Sequence, residues 1–282
     1  MKLTRGTCDG PLRCDYHWGL DEVVLYVGET SPRLFLECFA GSAGTTLTLL
    51  LNDCVQRGIL VVGDSYLGAF WREGLKTDNL IHKAVNFNAN KMNVQEVVNN
   101  PDRDPAFWTL VKSQCSWRGR LDHKAFLEWN VTKAWNRERI LESLSTVRSL
   151  SDRLDVIEGQ DVQALEAYGD ATALLQYPFD PYDNWNKALR EKWYSEEEQD
   201  SLFQILASRK GPWILPSPSE KMSEWSKARQ IGEAWMVRRK LPRPWLRESI
   251  LVSDRQFAAG QNELSLADER RFHEFSEKKK SQ

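Results

Sequence analysis

Cysteine is scarce and unpatterned in this chain of 282 residues: there are five, an odd number, with no Cys-x-x-Cys spacing. That argues against a disulfide framework and against a zinc site, and fits a reducing compartment. Histidine is rarer still, with four residues, and no metal-ligand motif pairs any of them with a partner, so no metal is expected. No apolar run approaches the roughly 18 residues that a membrane span needs. Met1-Lys2-Leu3-Thr4-Arg5-Gly6 lacks the apolar segment of a secretory signal, so the expectation is a cytoplasmic protein that is neither secreted nor membrane-bound. An excess of one charge is also missing: 38 Lys and Arg stand against 40 Asp and Glu, a formal net charge of -2. That weighs mildly against nucleic-acid binding by the chain as a whole, but a local basic stripe is enough to neutralise phosphates. Internal repeats are absent.

What is present suits a sizeable core. Hydrophobic residues make up 41% of the chain, enough for one large domain or a core carrying an inserted module. The 12 tryptophans are many for this length; most read as packing residues, and a few could stack on bases. The most informative stretch is Leu34-Phe35-Leu36-Glu37-Cys38-Phe39-Ala40-Gly41-Ser42-Ala43-Gly44-Thr45. An apolar strand ends in an acid, a small-residue loop comes next, and Thr45 to Leu51 reads as a buried helix. Strand, tight turn and helix together let backbone N–H groups approach a nucleotide-like ligand. Gly41 and Gly44 leave room where a side chain would block it. Many cofactor-binding proteins share such a turn, so its weight depends on the segments downstream of it.

Residues 34–37 and 59–62 read as short buried strands with a helix between them, a βαβ unit with a parallel sheet. Residues 76–105 are polar and rich in Asn, with the breaker Asn99-Asn100-Pro101. Ala106 to Asn130 mixes aromatics with Arg, His and Lys. The resulting division is a discontinuous core of 1–75 and 151–258, an inserted module of 76–150, and a charged tail of 259–282, helical or disordered. Strand patterns resume at 154–157, 171–175, 213–215 and 249–252. Residues 195–208 read as an amphipathic helix capped by Ser195, with Leu202, Phe203, Ile205 and Leu206 on its apolar face.

Taken in order, these segments resemble the Dam-type family of S-adenosylmethionine-dependent DNA adenine methyltransferases over roughly residues 14–257. Tyr16-His17-Trp18-Gly19-Leu20-Asp21 resembles the family's cofactor-touching Trp-Ala-Gly-Gly-Lys loop, with Asp21 near the place of the lysine. Glu37 to Gly44 resembles Glu-Pro-Phe-Ala-Gly-Gly-Gly-Ser, and Val61-Val62-Gly63-Asp64 resembles the strand ending in Asn-Asp. Phe107 to Arg120 is similar to a helix that runs into a Gly- and Arg-containing loop. Asp155 to Asp161 is similar to the strand and Asp before the catalytic strand, and Arg247 to Val252 to a late strand. The family's Asp-Pro-Pro-Tyr has two registers here. Either Gln176-Tyr177-Pro178-Phe179 takes its place, the favoured alignment, or Asp180-Pro181-Tyr182 does with one proline missing.

The resemblance implies a Rossmann-like α/β methyltransferase fold with a mixed, mostly parallel sheet and an inserted, mainly helical target-recognition module. It implies S-adenosylmethionine as cofactor and, as partner, double-stranded DNA with its target base flipped. That leaves a role in restriction-modification and a nucleoid-associated location open. Trp18, Gly19, Glu37, Phe39, Ala40, Gly41, Ser42, Asp64 and Asp161 would line the cofactor, with Asp64 on the ribose and Asp161 on the adenine. Gln176, Tyr177, Pro178, Phe179 and Asp180 would form the catalytic loop. There, a side-chain oxygen and a backbone carbonyl accept both amino hydrogens of the target, and Phe179 stacks on the flipped base. A neutral Gln stabilises developing positive charge less than Asp does. Arg118, Arg120, His123 and Lys124, interleaved with Trp117, Phe126 and Trp129, suit phosphate contacts and stacking; Arg238-Arg239-Lys240 with Arg243 and Arg247 form a second basic cluster. The plainer readings stand beside these: an ordinary aromatic- and proline-rich loop at 177–182, strand-end carboxylates at Asp64 and Asp161, and a solvated basic loop. The competing functions are a non-catalytic relative that binds DNA or a protein partner, and a same-fold enzyme acting on another base or on RNA.

Overall fold

The computed structural model describes residues 10–13, 23–24, 27–28, 30–119, 121, 126–159, 161–176, 196–217 and 249–252. They divide into two compact units, Met1–Tyr177 and Pro178–Gln282. The first contains four strands: β1 (Leu34–Cys38), β2 (Arg57–Val62), β3 (Leu154–Glu158) and β4 (Thr172–Leu175). Their order is β3-β2-β1-β4, and all three pairings are parallel. Successive side chains of β1, β2 and β4 are buried almost without a break, so both faces of the sheet are covered, as a parallel sheet requires. This is an α/β fold, and the strands fall on the runs that the hydrophobic pattern predicts, to within two residues at each end.

Short helices fill the connections. After β1 comes α1 (Gly44–Leu51); after β2 come α2 (Ser65–Lys76), α3 (Asn79–Asn86), α4 (Lys91–Asn99), α5 (Pro105–Cys115), α6 (Val131–Ala134) and α7 (Arg137–Ser149); after β3 comes α8 (Asp161–Ala167). Five of them begin on an Asp or Asn whose side-chain oxygen accepts from the backbone of the first turn. Asp64 takes Tyr66 and Leu67, Asn90 takes Asn93, Asp104 takes Phe107, Asn130 takes Lys133, and Asn136 takes Arg139. Each such cap offsets donors that the helix leaves open and contributes about 1 kcal/mol. The Asn-rich polar stretch is therefore a run of helix starts. Phe87, Phe107 and Trp135 pack edge-on with centroids 5.1 to 6.4 Å apart, which locks α5 and the turns beside α3 and α6 together. Residues 76–150, which the sequence presents as an inserted module, are mainly helical. They form the crossover from β2 to β3 within the same compact unit as the sheet, with α2 packed against both β3 and α5.

In the second unit, α9 (Glu196–Ser208) buries Leu202 and Leu206, four residues apart on one face. Its expected cap, Ser195, lies outside the described residues. β5 (Trp213–Ser217) pairs antiparallel with β6 (Ser249–Val252), with Ile214 opposite Val252 and Ser217 opposite Ser249. The tail at 259–282 lies outside the described residues. No helix among the described residues is long and apolar enough to cross a membrane.

Candidate functional site

The strand order creates the site. From β1 the chain moves outward through β2 to β3, then returns to the other side of β1 as β4. The direction of travel reverses between β1 and β4, and in open α/β sheets ligands bind outside the carboxyl ends of the strands at such a switch point. The Phe39 to Ala43 loop leaves β1 there, and Gln176 leaves β4. Gln176 bonds to both flanks of that loop: its N–H donates to the Cys38 carbonyl at 3.1 Å, and its Nε2 reaches Thr45 Oγ1 at 3.4 Å. The sequence-predicted glycine loop and the first residue of the predicted catalytic loop thus share one sheet edge. Tyr177, Pro178, Phe179 and Asp180 lie outside the described residues, as do Trp18 and Gly19.

The loop is held from several sides. Ala40 N–H donates to the Val61 carbonyl at 2.9 Å, tying it to β2. Trp71 of α2, fully buried, donates its indole N–H to the Gly41 carbonyl at 3.1 Å. The left-handed conformations fall on Phe39 (φ 58°) and Ala43 (φ 53°) and not on the glycines. Gly41 instead provides space: a Cβ placed there would meet nothing within 4 Å. Ser42 is buried, and its Oγ has no hydrogen-bond partner. Residues 10–13 lie against this loop. A Cβ on Gly10 would stand 2.8 Å from the Ser42 carbonyl oxygen. Gln114 Nε2 donates to the Pro11 carbonyl at 2.8 Å and Ser113 Oγ to the Arg13 carbonyl at 3.1 Å. Sequence reasoning missed Trp71, Gln114 and Ser113 as supports of the loop. Their signal, a tryptophan and two polar residues on helices, is indistinguishable from ordinary packing.

Glu37, a cofactor residue on the sequence reading, turns inward. It is fully buried. One carboxylate oxygen accepts both the backbone N–H of Thr46, at 3.1 Å, and the Thr46 hydroxyl. The other oxygen has no partner. Burial pushes the carboxyl up to about 7, against the two bonds from Thr46, which lower it. Glu37 thereby braces the first turn of α1 from beneath. Asp64 sits just beyond β2 and caps α2 through Oδ1, at 2.9 Å from Tyr66 N and 3.0 Å from Leu67 N. Asp161 opens α8 just beyond β3. The acids expected to meet ribose and adenine thus both come after the carboxyl ends of β2 and β3, on one side of β1.

The predicted nucleic-acid segment forms a narrow ribbon. Ser116 and Leu127 form an antiparallel bridge, with Trp117 N–H on the Phe126 carbonyl at 2.9 Å and Glu128 N–H on the Cys115 carbonyl at 2.7 Å. Trp117, Phe126 and Trp129 are exposed. Arg118 lies in the short 3-10 turn Trp117–Gly119 that opens the connecting loop; Arg120, His123 and Lys124 lie outside the described residues. Arg13 pairs with Glu128 at 2.8 Å, so the ribbon also grips the segment that lies over Ser42. The second basic cluster, from Arg238 to Arg247, lies outside the described residues.

No family model and no curated protein matches the chain. Among solved structures, an uncharacterized protein from Listeria monocytogenes serotype 4b is similar at 10% identity and a TM-score of 0.35, covering 84% of this chain and 67% of that one. Precorrin 8W decarboxylase from Methanobacterium thermoautotrophicum is similar at 11% identity and a TM-score of 0.33, covering 86% of this chain and 91% of that one. Likeness at this level carries no argument about activity, so the functional reading rests on the residues of the sheet edge.

Proposed function

We propose that the chain has a Rossmann-like methyltransferase fold and is an S-adenosylmethionine-dependent methyltransferase acting on the exocyclic amino group of adenine in DNA. The observation that carries the reading is the meeting of the Gly41 loop and Gln176 at the β1/β4 switch point. The residues present suit an adenosine-type cofactor. Open space at Gly41 gives the ligand an approach to the backbone. A carboxylate stands just past β2 at Asp64, and the Ser42 hydroxyl has an unmet hydrogen bond. S-adenosylmethionine, when bound, supplies an electrophilic methyl group.

The remaining work falls to the chain. Gln176, fixed through its backbone to Cys38, would present its amide oxygen to one amino hydrogen of the target base, and the Tyr177 carbonyl would take the other. Accepting both hydrogens turns the nitrogen lone pair out of the ring system. This is preorganised hydrogen bonding, and it calls for no strong base. Phe179 would stack on the flipped base. The exposed Trp117, Phe126 and Trp129, with the basic residues of their loop, would hold the duplex. The test is transfer of labelled methyl groups to unmethylated DNA, with nucleoside analysis of the product. N6-methyladenine is expected, and its loss in Gln176→Ala assigns the role. Full transfer in that variant would refute the assignment.

A second reading is a relative that binds but does not catalyse, and Gln176 in the place of an acid favours it. Under that reading, cofactor binding or DNA binding persists while methyl transfer is absent from the native protein.

A further inference from the structure

The opposite edge of the sheet holds an open cleft of about 330 Å³, lined by Arg33, Leu34, Gln56, Arg57, Ile59, Asp155 and Tyr168. It sits where β1 and β2 begin, so it is separate from the β1/β4 switch point. Its size falls within the range of small-molecule sites. Leu34 and Ile59 contribute apolar surface, and Tyr168 adds an aromatic ring. The charged groups are not balanced. Arg57 is paired with Asp155 at 2.6 Å. Among the described residues, no carboxylate or carbonyl engages the Arg33 guanidinium. One cation therefore remains over. The neighbouring arginine, Arg153, is committed elsewhere: it binds the Gln56 carbonyl at 3.1 Å, the Val55 carbonyl at 2.7 Å and Asp53 at 2.9 Å, which fixes the turn that carries Gln56.

We infer that this cleft is a second ligand site, one that takes a 5′-phosphorylated purine nucleotide. Arg57 and Asp155 neutralise each other, and each of the other five lining groups has a part in that recognition. A guanidinium fork matches a phosphate in two parallel hydrogen bonds. A tyrosine ring and two aliphatic side chains hold a flat heterocycle. A glutamine amide offers one donor and one acceptor, which pair with the N6 and N7 edge of adenine. A bare anion would use Arg33 and leave the apolar surface uncovered, and a neutral ring would leave Arg33 unmatched.

The ligand has two sources, a free nucleotide or the phosphorylated end of a DNA strand, and calorimetry on the full chain separates them. The probes are adenosine 5′-monophosphate, adenosine, inorganic phosphate, and a 5′-phosphorylated DNA dinucleotide that begins with deoxyadenosine. S-adenosylhomocysteine is kept saturating throughout, so that adenosine-type binding at the other edge is blocked. The monophosphate is expected to bind at least roughly tenfold more tightly than adenosine or phosphate alone, and Arg33→Met is expected to remove that margin. Tyr168→Leu should weaken both the monophosphate and the nucleoside by a similar factor. Equal binding of the dinucleotide would identify a strand end as the source, and its exclusion a free nucleotide. The inference is overturned if phosphate binds as tightly as the monophosphate, if Arg33→Met leaves affinity unchanged, or if the native chain binds neither nucleotide. Arg33 is exposed, and the bond that its carbonyl accepts from the Arg57 N–H is made by the backbone, so its substitution is expected to leave the fold intact, which circular dichroism checks.

Discussion

Glu37→Gln isolates the fully buried carboxyl that, among the described residues, lies beneath the glycine loop. Burial raises Glu37 from its ordinary 4.5 to about 7, against the opposing bonds from Thr46. The folded chain therefore holds this proton more tightly than the unfolded chain does. Its contribution to stability is full below pH 4.5, where both states are protonated, and is lost as pH rises through about 7. The loss amounts to roughly 3 kcal/mol. Gln has the same shape and does not titrate, and it can still accept the Thr46 N–H. The stability of Glu37→Gln minus that of the native chain is therefore expected to rise by roughly 3 kcal/mol between about pH 4.5 and pH 8. Taking the difference cancels every other titrating group. Denaturant unfolding followed by tryptophan fluorescence suits the measurement, because the Trp71 indole donates to the loop itself. A difference that stays flat across this range would refute the buried, strongly raised carboxyl, and with it the brace beneath α1.

Further outcomes rest on the same geometry. Gly58→Ala would place a Cβ 2.5 Å from Thr46 Cγ2 and 3.2 Å from Leu154 Cδ1. An overpacking cost of about 1 to 3 kcal/mol is expected, read from the shift in the denaturant midpoint. Asp104→Ala removes both the cap on Phe107 N and the pairing with Lys83 at 2.7 Å; it should destabilise by about 1 to 2 kcal/mol, whereas Asp104→Asn, which keeps the cap, should recover much of the loss. Gln176→Asp substitutes a charged acceptor for a neutral one, and methyl transfer to DNA should rise about tenfold, since a charged acceptor bonds roughly twice as strongly. A fall in rate would count against Gln176 as the acceptor.

The strands are legible in the sequence because parallel strands buried on both faces are near-continuous apolar runs, and Leu34–Leu36, Ile59–Val62 and Ala173–Leu175 are such runs. The switch point is legible only by analogy, since nothing local tells β4 to pair with β1 rather than β3. The segment 76–150 reads as an inserted module because Asn and Pro punctuate it. Asn90, Asn130 and Asn136 are caps, and a cap carries the same local signal as a loop until its partner helix is known. Glu37 carries a similar lesson. An acid at the end of a strand reads as a ligand, and only packing reveals that its carboxylate points at Thr46. The supports of the loop, Trp71 and Gln114, are invisible in the sequence because their partners lie 30 and 103 residues away.

Calorimetric titration of S-adenosylhomocysteine into the native chain and into Gly41→Val probes the proposed cofactor site itself. A Cβ at Gly41 meets nothing within 4 Å, so the variant is expected to keep its fold while its side chain stands in the ligand's proposed approach to the loop. Saturable one-to-one binding to the native chain is expected, with a loss of roughly a hundredfold or more in the variant. Equal binding by both, or no binding by the native chain, would contradict a cofactor site at the β1/β4 edge.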